Sequence, residues 1–275
     1  EQKGIRDPHI YRAPDGTFYI AMTDLHIFAQ KKGLRNTEWE RDGAKYGWGN
    51  NRGLVLMKSK DLIHWTHHVV RIDKSFPGYD EIGCAWAPEL VYDEHAGRIM
   101  VYFTMRMGNA RNMLYYAYAN EDFDGLETEP RLLFQYPDAT KSAIDADITK
   151  VGDKYHMFYV AHDGIPGIKQ AVSKYINRGY SYLPEWVDPE PGACEAPNMW
   201  KRIGEDKWVV MYDIYSINPH NFGFSETTDF VNFTHLGHFN EGVMKATNFT
   251  SPKHGAVIHI TKKEADKLRK YWKGK

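Results

Sequence analysis

The chain has little that would tie it to a disulfide scaffold, a nucleic acid or a membrane. It contains two cysteines in 275 residues, Cys84 and Cys194, too few for a disulfide framework or a zinc site made by cysteines alone. Small buried hydrophobes are the expected reading of both. No charge of one sign is in excess. The 35 basic and 36 acidic residues leave a formal charge of −1, so the electrostatic footprint of a nucleic-acid or anionic-membrane binder is missing. No apolar run approaches the roughly 18 residues that a membrane span needs. No signal peptide is evident at Glu1, and a mature or trimmed periplasmic or extracellular chain is expected. Two Asn-Phe-Thr sequons, at Asn232 and Asn248, mean little outside a eukaryotic secretory context. What the chain does hold is aromatic side chains: 14%, with 18 Tyr and 8 Trp. These favour strands, and they stack on sugar rings.

Four segments share one shape: an acid near the start, a short apolar strand, a polar turn, then a dense apolar-aromatic strand. They are DPHIYRAPDGTFYIAM from Asp7, PELVYDEHAGRIMVYF with Glu89, DADITKVGDKYHMFYV from Asp145, and EAPNMWKRIGEDKWVVMY from Glu195. The turns Pro14-Asp15-Gly16, His95-Ala96-Gly97, Gly152-Asp153 and Gly204-Glu205-Asp206 carry hairpin residues. Near-continuous apolar runs such as Ile99–Phe103 read as strands buried on both faces. GLVLMKSKDLIHWTHHV, MLYYAYANEDFD, KQAVSKYI and FGFSETTDFVNFTHL supply third and fourth strands, with SKDLIHW and TTDFVNF as structural turns between outer strands. KHGAVIHIT is a weaker fifth unit. Spacings between Asp7, Glu89, Asp145, Glu195 and His254 are 82, 56, 50 and 59 residues. Three suit a four-stranded propeller blade, and the first carries an excess of roughly 25 residues, assigned to an insertion at 25–51. Thr261 and Glu264 fit a capping box for a terminal helix, with Ala265, Leu268 and Trp272 on one apolar face and Gly274 as a stop. The expected architecture is all-β, a five-bladed β-propeller with a short C-terminal helix, forming a single domain over residues 1–275. Blade five is thin, and its missing strands are expected to come from elsewhere or from beyond this sequence.

In a propeller the first strand of each blade lines the central channel, so residues heading those strands converge. Asp7, Glu89, Asp145 and Glu195 are therefore expected to meet near the axis. Several acids in an aromatic-rich hollow suit glycoside hydrolysis, which needs one carboxylic acid to protonate the leaving oxygen and one carboxylate to activate water or attack carbon. Like charges and burial keep one member protonated.

The pattern resembles glycoside hydrolase family 43, the arabinofuranosidases, arabinanases and β-xylosidases built on a five-bladed propeller. The resemblance runs from about Asp7 to Thr261. RDPHIYRAPDGTFYIAMTD is similar to the family's opening segment, which implies Asp7 as general base. AWAPELVYD resembles the second-blade segment, which implies Trp86 near the sugar. SAIDADITKVGDKYHMFYV is similar to the third-blade segment, implying that Asp145 tunes the acid and orients substrate. CEAPNMWKRIGEDKWVVMYD resembles the segment that carries the general acid, here Glu195. KHGAVIHIT is similar to the fifth-blade segment whose His lies in the channel, which implies His254 within reach of a central ion such as calcium or of its waters. Ala196 and Ala146 depart from the usual Gly and Pro. Asp147 competes with Asp145 for the modulating role and is expected, by strand alternation, to face the opposite way. Glu89 is read either at the substrate or holding amides of the neighbouring blade; His9 and Trp48 are weaker candidates for substrate contact.

The resulting expectation is an inverting, exo-acting α-L-arabinofuranosidase acting on plant glycans as a monomer, with no required cofactor. The alternatives are a β-D-xylosidase, β-galactosidase or arabinanase, and a carbohydrate-binding propeller without chemistry. The insertion at 25–51 is expected to wall the cleft mouth.

Overall fold

Each of the four hairpins is the inner half of a four-stranded antiparallel sheet. The computed structural model describes residues 4–27, 41–242 and 244–273. Blade one contains β1 (Ile5–Arg12) and β2 (Phe18–Asp24), then the short helix α1 (Gly43–Tyr46), then β3 (Gly53–Ser59) and β4 (Thr66–Arg71). After a second short helix, α2 (Ile72–Ser75), blade two follows as β5 (Ile82–Asp93), β6 (Arg98–Met107), β7 (Met113–Tyr118) and β8 (Arg131–Phe134). Blade three is β9 (Ala143–Val151), β10 (Lys154–Ala161), β11 (Gly167–Ser173) and β12 (Ser181–Trp186). Blade four is β13 (Glu195–Lys201), β14 (Trp208–Ile214), β15 (Asn221–Thr227) and β16 (Thr234–His238). The four predicted hairpin turns fall between the first two strands of each blade. SKDLIHW and TTDFVNF close outer hairpins, where Asp61 and Asp229 accept amide hydrogen bonds and Leu62 and Phe230 take positive φ.

The core lies between blades. One apolar cluster joins blades one and two through Leu54, Leu56, Leu90 and Phe103. Others join two to three through Tyr102, Leu114 and Tyr159, and three to four through Phe158, Val160 and Tyr212. On the free face of blade four, Met211, Phe222 and Phe224 pack with Leu236, Phe239 and Met244. A side chain on Gly255 would press on the Phe222 ring. The fifth position is thus held by the segment around 253–261, in which no strand forms. Among the described residues, the family-like fifth unit contributes its innermost segment.

The inner strands are sheet edges that meet no partner strand at the axis, so their amides must find side-chain acceptors. A repeated device supplies them. Asp7, Ala87, Asp145, Ala196 and His254 all adopt a left-handed conformation, with φ between 44° and 55°. Register shifts fall at the same point of all four inner strands, between Arg6 and His9, Trp86 and Glu89, Ile144 and Asp147, and Glu195 and Asn198. Each is a bulge of the kind that re-aims side chains beside a site. The residue before the left-handed one faces one level of the channel, and the residue two after it faces the next level down.

Amides then cross from blade to blade. The Ala87 amide donates to the Thr23 hydroxyl at 2.8 Å, the Asp145 amide to Thr104 at 3.0 Å, and the His254 amide to Asp213 at 3.1 Å. At the lower level the Leu90 amide donates to His9 Nδ1, Ile148 to the Tyr102 hydroxyl, Met199 to Asp147, and Val257 to Asn198. The last of these incorporates the fifth segment into the ring, in register with the other four units.

The terminal helix α3 (Lys262–Lys273) starts at the expected capping box: Glu264 accepts from the Thr261 amide and hydroxyl, and Thr261 accepts from the Glu264 amide. Arg12 pairs with Glu264 at 3.0 Å and Lys267 with Asp61 at 3.0 Å, fastening the helix to blade one. Ala265 and Leu268 are half-buried as expected, but Trp272 is 61% exposed. Tyr271, one position earlier, makes the ring contact, with His64, because these ion pairs set the roll of the helix. Gly274 lies outside the described residues.

The lower level stores a pH dependence. Burial raises the Asp147 carboxyl from 3.8 to about 7, against the opposing hydrogen bonds from Met199 and Asn198. The unfolded chain releases this proton near pH 4 and the folded chain near pH 7. The folded state therefore binds more protons in that window, and stability falls as pH rises through it. A shift of this size corresponds to at most ~4 kcal/mol. Asp147→Asn keeps an acceptor oxygen but does not titrate. Its urea-unfolding free energy should fall less than the wild type's between pH 4 and pH 7, with a residual slope from Glu89. Parallel curves for the two proteins would contradict this reading.

Candidate active site

The upper level of the inner strands surrounds a cleft of about 540 Å³ lined by Arg6, Asp7, Trp86, Asp145, Glu195 and Lys253, among others. The bulges account for this membership. Arg6, Trp86, Ile144, Glu195 and Lys253 each precede a left-handed residue, and all five line the cleft. Asp7, Asp145 and His254 are themselves left-handed and also line it. Three carboxyls separated by up to 188 positions in the chain thus share one hollow.

Asp7 is held from several sides. The Thr23 hydroxyl donates to its Oδ2 at 2.8 Å, while Arg6 Nε and His254 Nδ1 lie 3.7 and 3.4 Å from its Oδ1. Asp145 is buried at the cleft floor, and burial together with the charges of Glu195 and Asp7 raises its carboxyl well above the usual range; Lys253 and the Ala196 amide work the other way. Glu195 and Asp213 share the Lys253 ammonium, with Asp213 at 3.2 Å. Burial opposes the charge on Lys253, but the two carboxylates outweigh it and raise its pKa. Tyr215 lies under the same ammonium, 4.9 Å from ring centroid to nitrogen. Burial and the neighbouring carboxyls thus favour a proton on Asp145, an asymmetry of the kind general acid–base chemistry uses.

One wall is aromatic. The Trp86 indole donates to the Gly49 carbonyl at 2.9 Å, carries Arg106 on its face at 4.6 Å, and meets Trp48 edge-on at 5.9 Å. Trp48 is 70% exposed at the cleft margin. Arg106 donates to the Tyr46 and Trp48 carbonyls and to Asn112, tying the loop that contains α1 to blade two. Gly49, at φ 61°, lets this loop pass close to the Trp86 ring. Of the insertion expected to wall the cleft, residues 41–51 do line it through Trp48, and 28–40 lie outside the described residues.

His9 and Glu89, expected at the substrate, do not line this cleft. They sit one level lower, both buried, with His9 Nε2 3.8 Å from Glu89 Oε2. Glu89 accepts from Tyr102, whose hydroxyl in turn accepts the Ile148 amide of blade three. This is the neighbouring-blade role, reached through a tyrosine. The reason is phase: both residues lie two positions beyond the left-handed residue rather than before it or on it.

Asp147 also lies at the lower level, apart from Asp145, but not by alternation. Residues two apart in a regular strand share a face; the bulge at Asp145-Ala146 separates them. Lys253, Asp213, Tyr215 and Arg106 were not anticipated. Aligning the units on Asp7-Pro8, Ala87-Pro88, Asp145-Ala146, Ala196-Pro197 and His254-Gly255 puts Lys253 level with Glu195, and that alignment is visible in the sequence.

The channel ion implied by the family resemblance finds no direct ligand set among the described residues. His254 faces Asp7. The converging group lower down is His9, Glu89 and Asp147, but His9 Nδ1 already accepts the Leu90 amide, so its Nε2 carries the proton and has no lone pair to donate. A larger hollow of about 860 Å³ lies between the turns of blades one and two. Its rim charges, such as Arg98 and Glu127 at 3.0 Å, are paired at the surface, and volume alone does not make it a site. Cys84 and Cys194 are free and buried, with the Cys84 thiol pushed up to about 12 by burial.

A propeller whose axial cleft gathers three carboxyls beneath paired tryptophans belongs with the carbohydrate-active propellers. The chain is a member of the family described as "Probable glycosyl hydrolase domain", related to glycoside hydrolase family 43, whose model matches residues 1–266. It is 25% identical over 208 residues, 66% of its length, to an α-L-arabinofuranosidase of Bifidobacterium longum subsp. longum, and it spans 17% of that protein's length. Among solved structures it is similar to the catalytic domain of the Coprinopsis cinerea GH62 α-L-arabinofuranosidase, with TM-score 0.60, 14% identity, and coverage of 86% of this chain and 68% of that one. It is also similar to the α-L-arabinofuranosidase from Lactobacillus brevis, with TM-score 0.59, 16% identity, and coverage of 84% and 72%. These structural likenesses establish the propeller class, with four sheets and an inner fifth segment among the described residues. No helix among the described residues is long and apolar enough to cross a membrane.

Proposed function

We propose that the cleft hydrolyses the O-glycosyl bonds of terminal or side-chain α-L-arabinofuranosyl residues on plant glycans, with inversion, outside the cytoplasm. The observation that carries this reading is the convergence of Asp7, Asp145 and Glu195 in one cleft beside Trp86. The arabinofuranosyl specificity draws support from the relatives' activities. The Trp48 wall favours attack at chain ends or branches over an open groove.

In this reading Asp7 takes a proton from water as the oxygen attacks the anomeric carbon, and Glu195 gives a proton to the departing sugar oxygen. Thr23 donates to one Asp7 oxygen, and the water approaches the other, which Arg6 and His254 flank at 3.7 and 3.4 Å. Burial and the neighbouring carboxyls favour a proton on Asp145, which orients the sugar hydroxyls. Lys253 sits on Glu195 in the free cleft, so as substrate moves the ammonium toward Asp213 or a sugar hydroxyl, Glu195 first takes up a proton from Asp145 or solvent and then donates it to the leaving oxygen. A carbohydrate-binding propeller without chemistry would need no such pairing of acid and base.

The two carboxyl roles are separable. Glu195→Ala should slow cleavage of sugar–sugar bonds by about 10²–10⁴-fold, and aryl arabinofuranosides with good leaving groups far less. Asp7→Ala should slow both classes about equally. Steady-state rates on an arabino-oligosaccharide and a nitrophenyl arabinofuranoside, alongside xyloside and galactoside analogues, provide the test. Wild type inert on every glycoside would reject hydrolysis, and a selective loss in Asp7→Ala would reverse the roles.

Lys253→Met offers a second check. Its ammonium opposes protonation of the carboxyl cluster, so its removal favours the protonated form. The alkaline limb of the pH–rate profile should move to higher pH, and a limb that stays or moves down would contradict the role given to Lys253.

A further inference from the structure

Outside the lining of the carboxyl cleft, the outer strand of blade four presents two imidazoles to a buried carboxylate. His235 and His238 lie on β16, and Glu190 on the segment that joins β12 to β13. We propose that these three side chains bind a divalent ion of the zinc class.

Residues three apart on an unbroken strand face opposite sides of the sheet. Here His238 pairs with Gly223 and His235 with Ser225, and the register shifts between them, so that Leu236 is an extra residue. Gly237, at φ 91°, completes the distortion. The extra residue returns both rings to one side, with centroids 5.5 Å apart.

Glu190 reaches the same point. Its Oε1 lies 2.9 Å from His238 Nε2 and 3.2 Å from the Tyr212 hydroxyl, which is 3.4 Å from His235 Nδ1. One ligand atom from each of Glu190, His235 and His238 lies within 4.8 Å of the others. Tetrahedral zinc, with bonds of about 2.0–2.2 Å, sets its ligand atoms roughly 3.3–3.6 Å apart. The 2.9 Å between Glu190 and His238 lies just under that spacing, and the three atoms together span no more than 4.8 Å.

Two further features fit the assignment. The Nδ1 of His238 is held by Glu241 Oε2 at 2.9 Å, the outer carboxylate that typically orients a metal-binding imidazole and sharpens its basicity. The Glu190 side chain is 7% exposed, whereas His235 is open to solvent, which leaves an entry path and a fourth position for water. Two nitrogens and one oxygen suit zinc and its first-row neighbours rather than calcium or magnesium. The bound ion would fasten β16 to the segment that enters β13 at Glu195.

The test is a titration of chelator-stripped protein with Co²⁺ as spectroscopic probe, followed by Zn²⁺ competition and metal analysis after dialysis. Expected are one equivalent per chain, a visible d–d absorption of low-symmetry Co²⁺ displaced by Zn²⁺, and a Zn²⁺-dependent rise in melting temperature. His235→Ala alters an exposed side chain and should fold normally by circular dichroism. It should lose the absorption and the thermal shift. Glu241→Gln should weaken binding by about 10–100-fold. Failure of wild type to take up one equivalent would overturn the proposal. So would uptake and thermal shift that persist unchanged in His235→Ala, since the ion would then sit elsewhere.

Discussion

Everything at the centre of this propeller depends on what to do with the amides of strands that have no neighbour. The inner strand of each blade borders an axis where no further strand fits, yet it is buried, and an unpaired buried N–H costs about 1–3 kcal/mol. The chain answers with side-chain acceptors on the preceding blade: Thr23, Thr104 and Asp213 at the upper level, His9, Tyr102, Asp147 and Asn198 at the lower. Polar residues in the channel are therefore in the first place a hydrogen-bonding device that holds blades together. The left-handed residue in each inner strand makes the geometry possible, at about 1–3 kcal/mol of strain for a non-glycine residue. Pro8, Pro88 and Pro197, just after three of these residues, have no amide that would need a partner.

That arrangement places the chemistry as a by-product. Because each bulge turns one residue into the upper cleft and another into the lower layer, every blade offers the cleft a fixed position for a functional side chain. Blade one uses it for Arg6 and Asp7, blade three for Asp145, blade four for Glu195, and the fifth segment for Lys253 and His254. Asp145 and Asp213 serve both purposes, accepting a neighbouring blade's amide while facing the charges of the cleft. The inner segment of blade five supplies the two residues and the Val257 amide that closes onto Asn198.

Hairpin turns, inner apolar strands and the capping box at Thr261 were legible in the sequence because each is fixed by local propensity. So were Asp7, Asp145, Glu195 and Trp86 as residues of one cleft, through repeat spacing and family resemblance, with Trp48 a weaker candidate that does line it. The level of each residue was not. A bulge changes strand phase without changing composition, so Glu89 and His9 read as cleft residues although they lie below it, and Asp147 parts from Asp145 through the bulge rather than by alternation. Lys253 escaped notice because its significance comes from Glu195 and Asp213, which are 58 and 40 positions away in the chain. The roll of α3, which exposes Trp272 and turns Tyr271 inward, is decided by Arg12 and Asp61 on another blade. Helical periodicity carries no record of them.

The central functional claim is that Asp7 and Glu195 act across the cleft on opposite sides of one sugar, with a water molecule between base and anomeric carbon. A pair set for this work stands about 6.5–9.5 Å apart, whereas a pair that forms a covalent glycosyl intermediate stands about 5–5.5 Å apart. Proton NMR during the first minutes of hydrolysis, before mutarotation, reads the outcome directly from the anomeric signal of the released sugar. The account predicts that an α-L-arabinofuranoside yields β-arabinofuranose first. Initial release of the α anomer would contradict it.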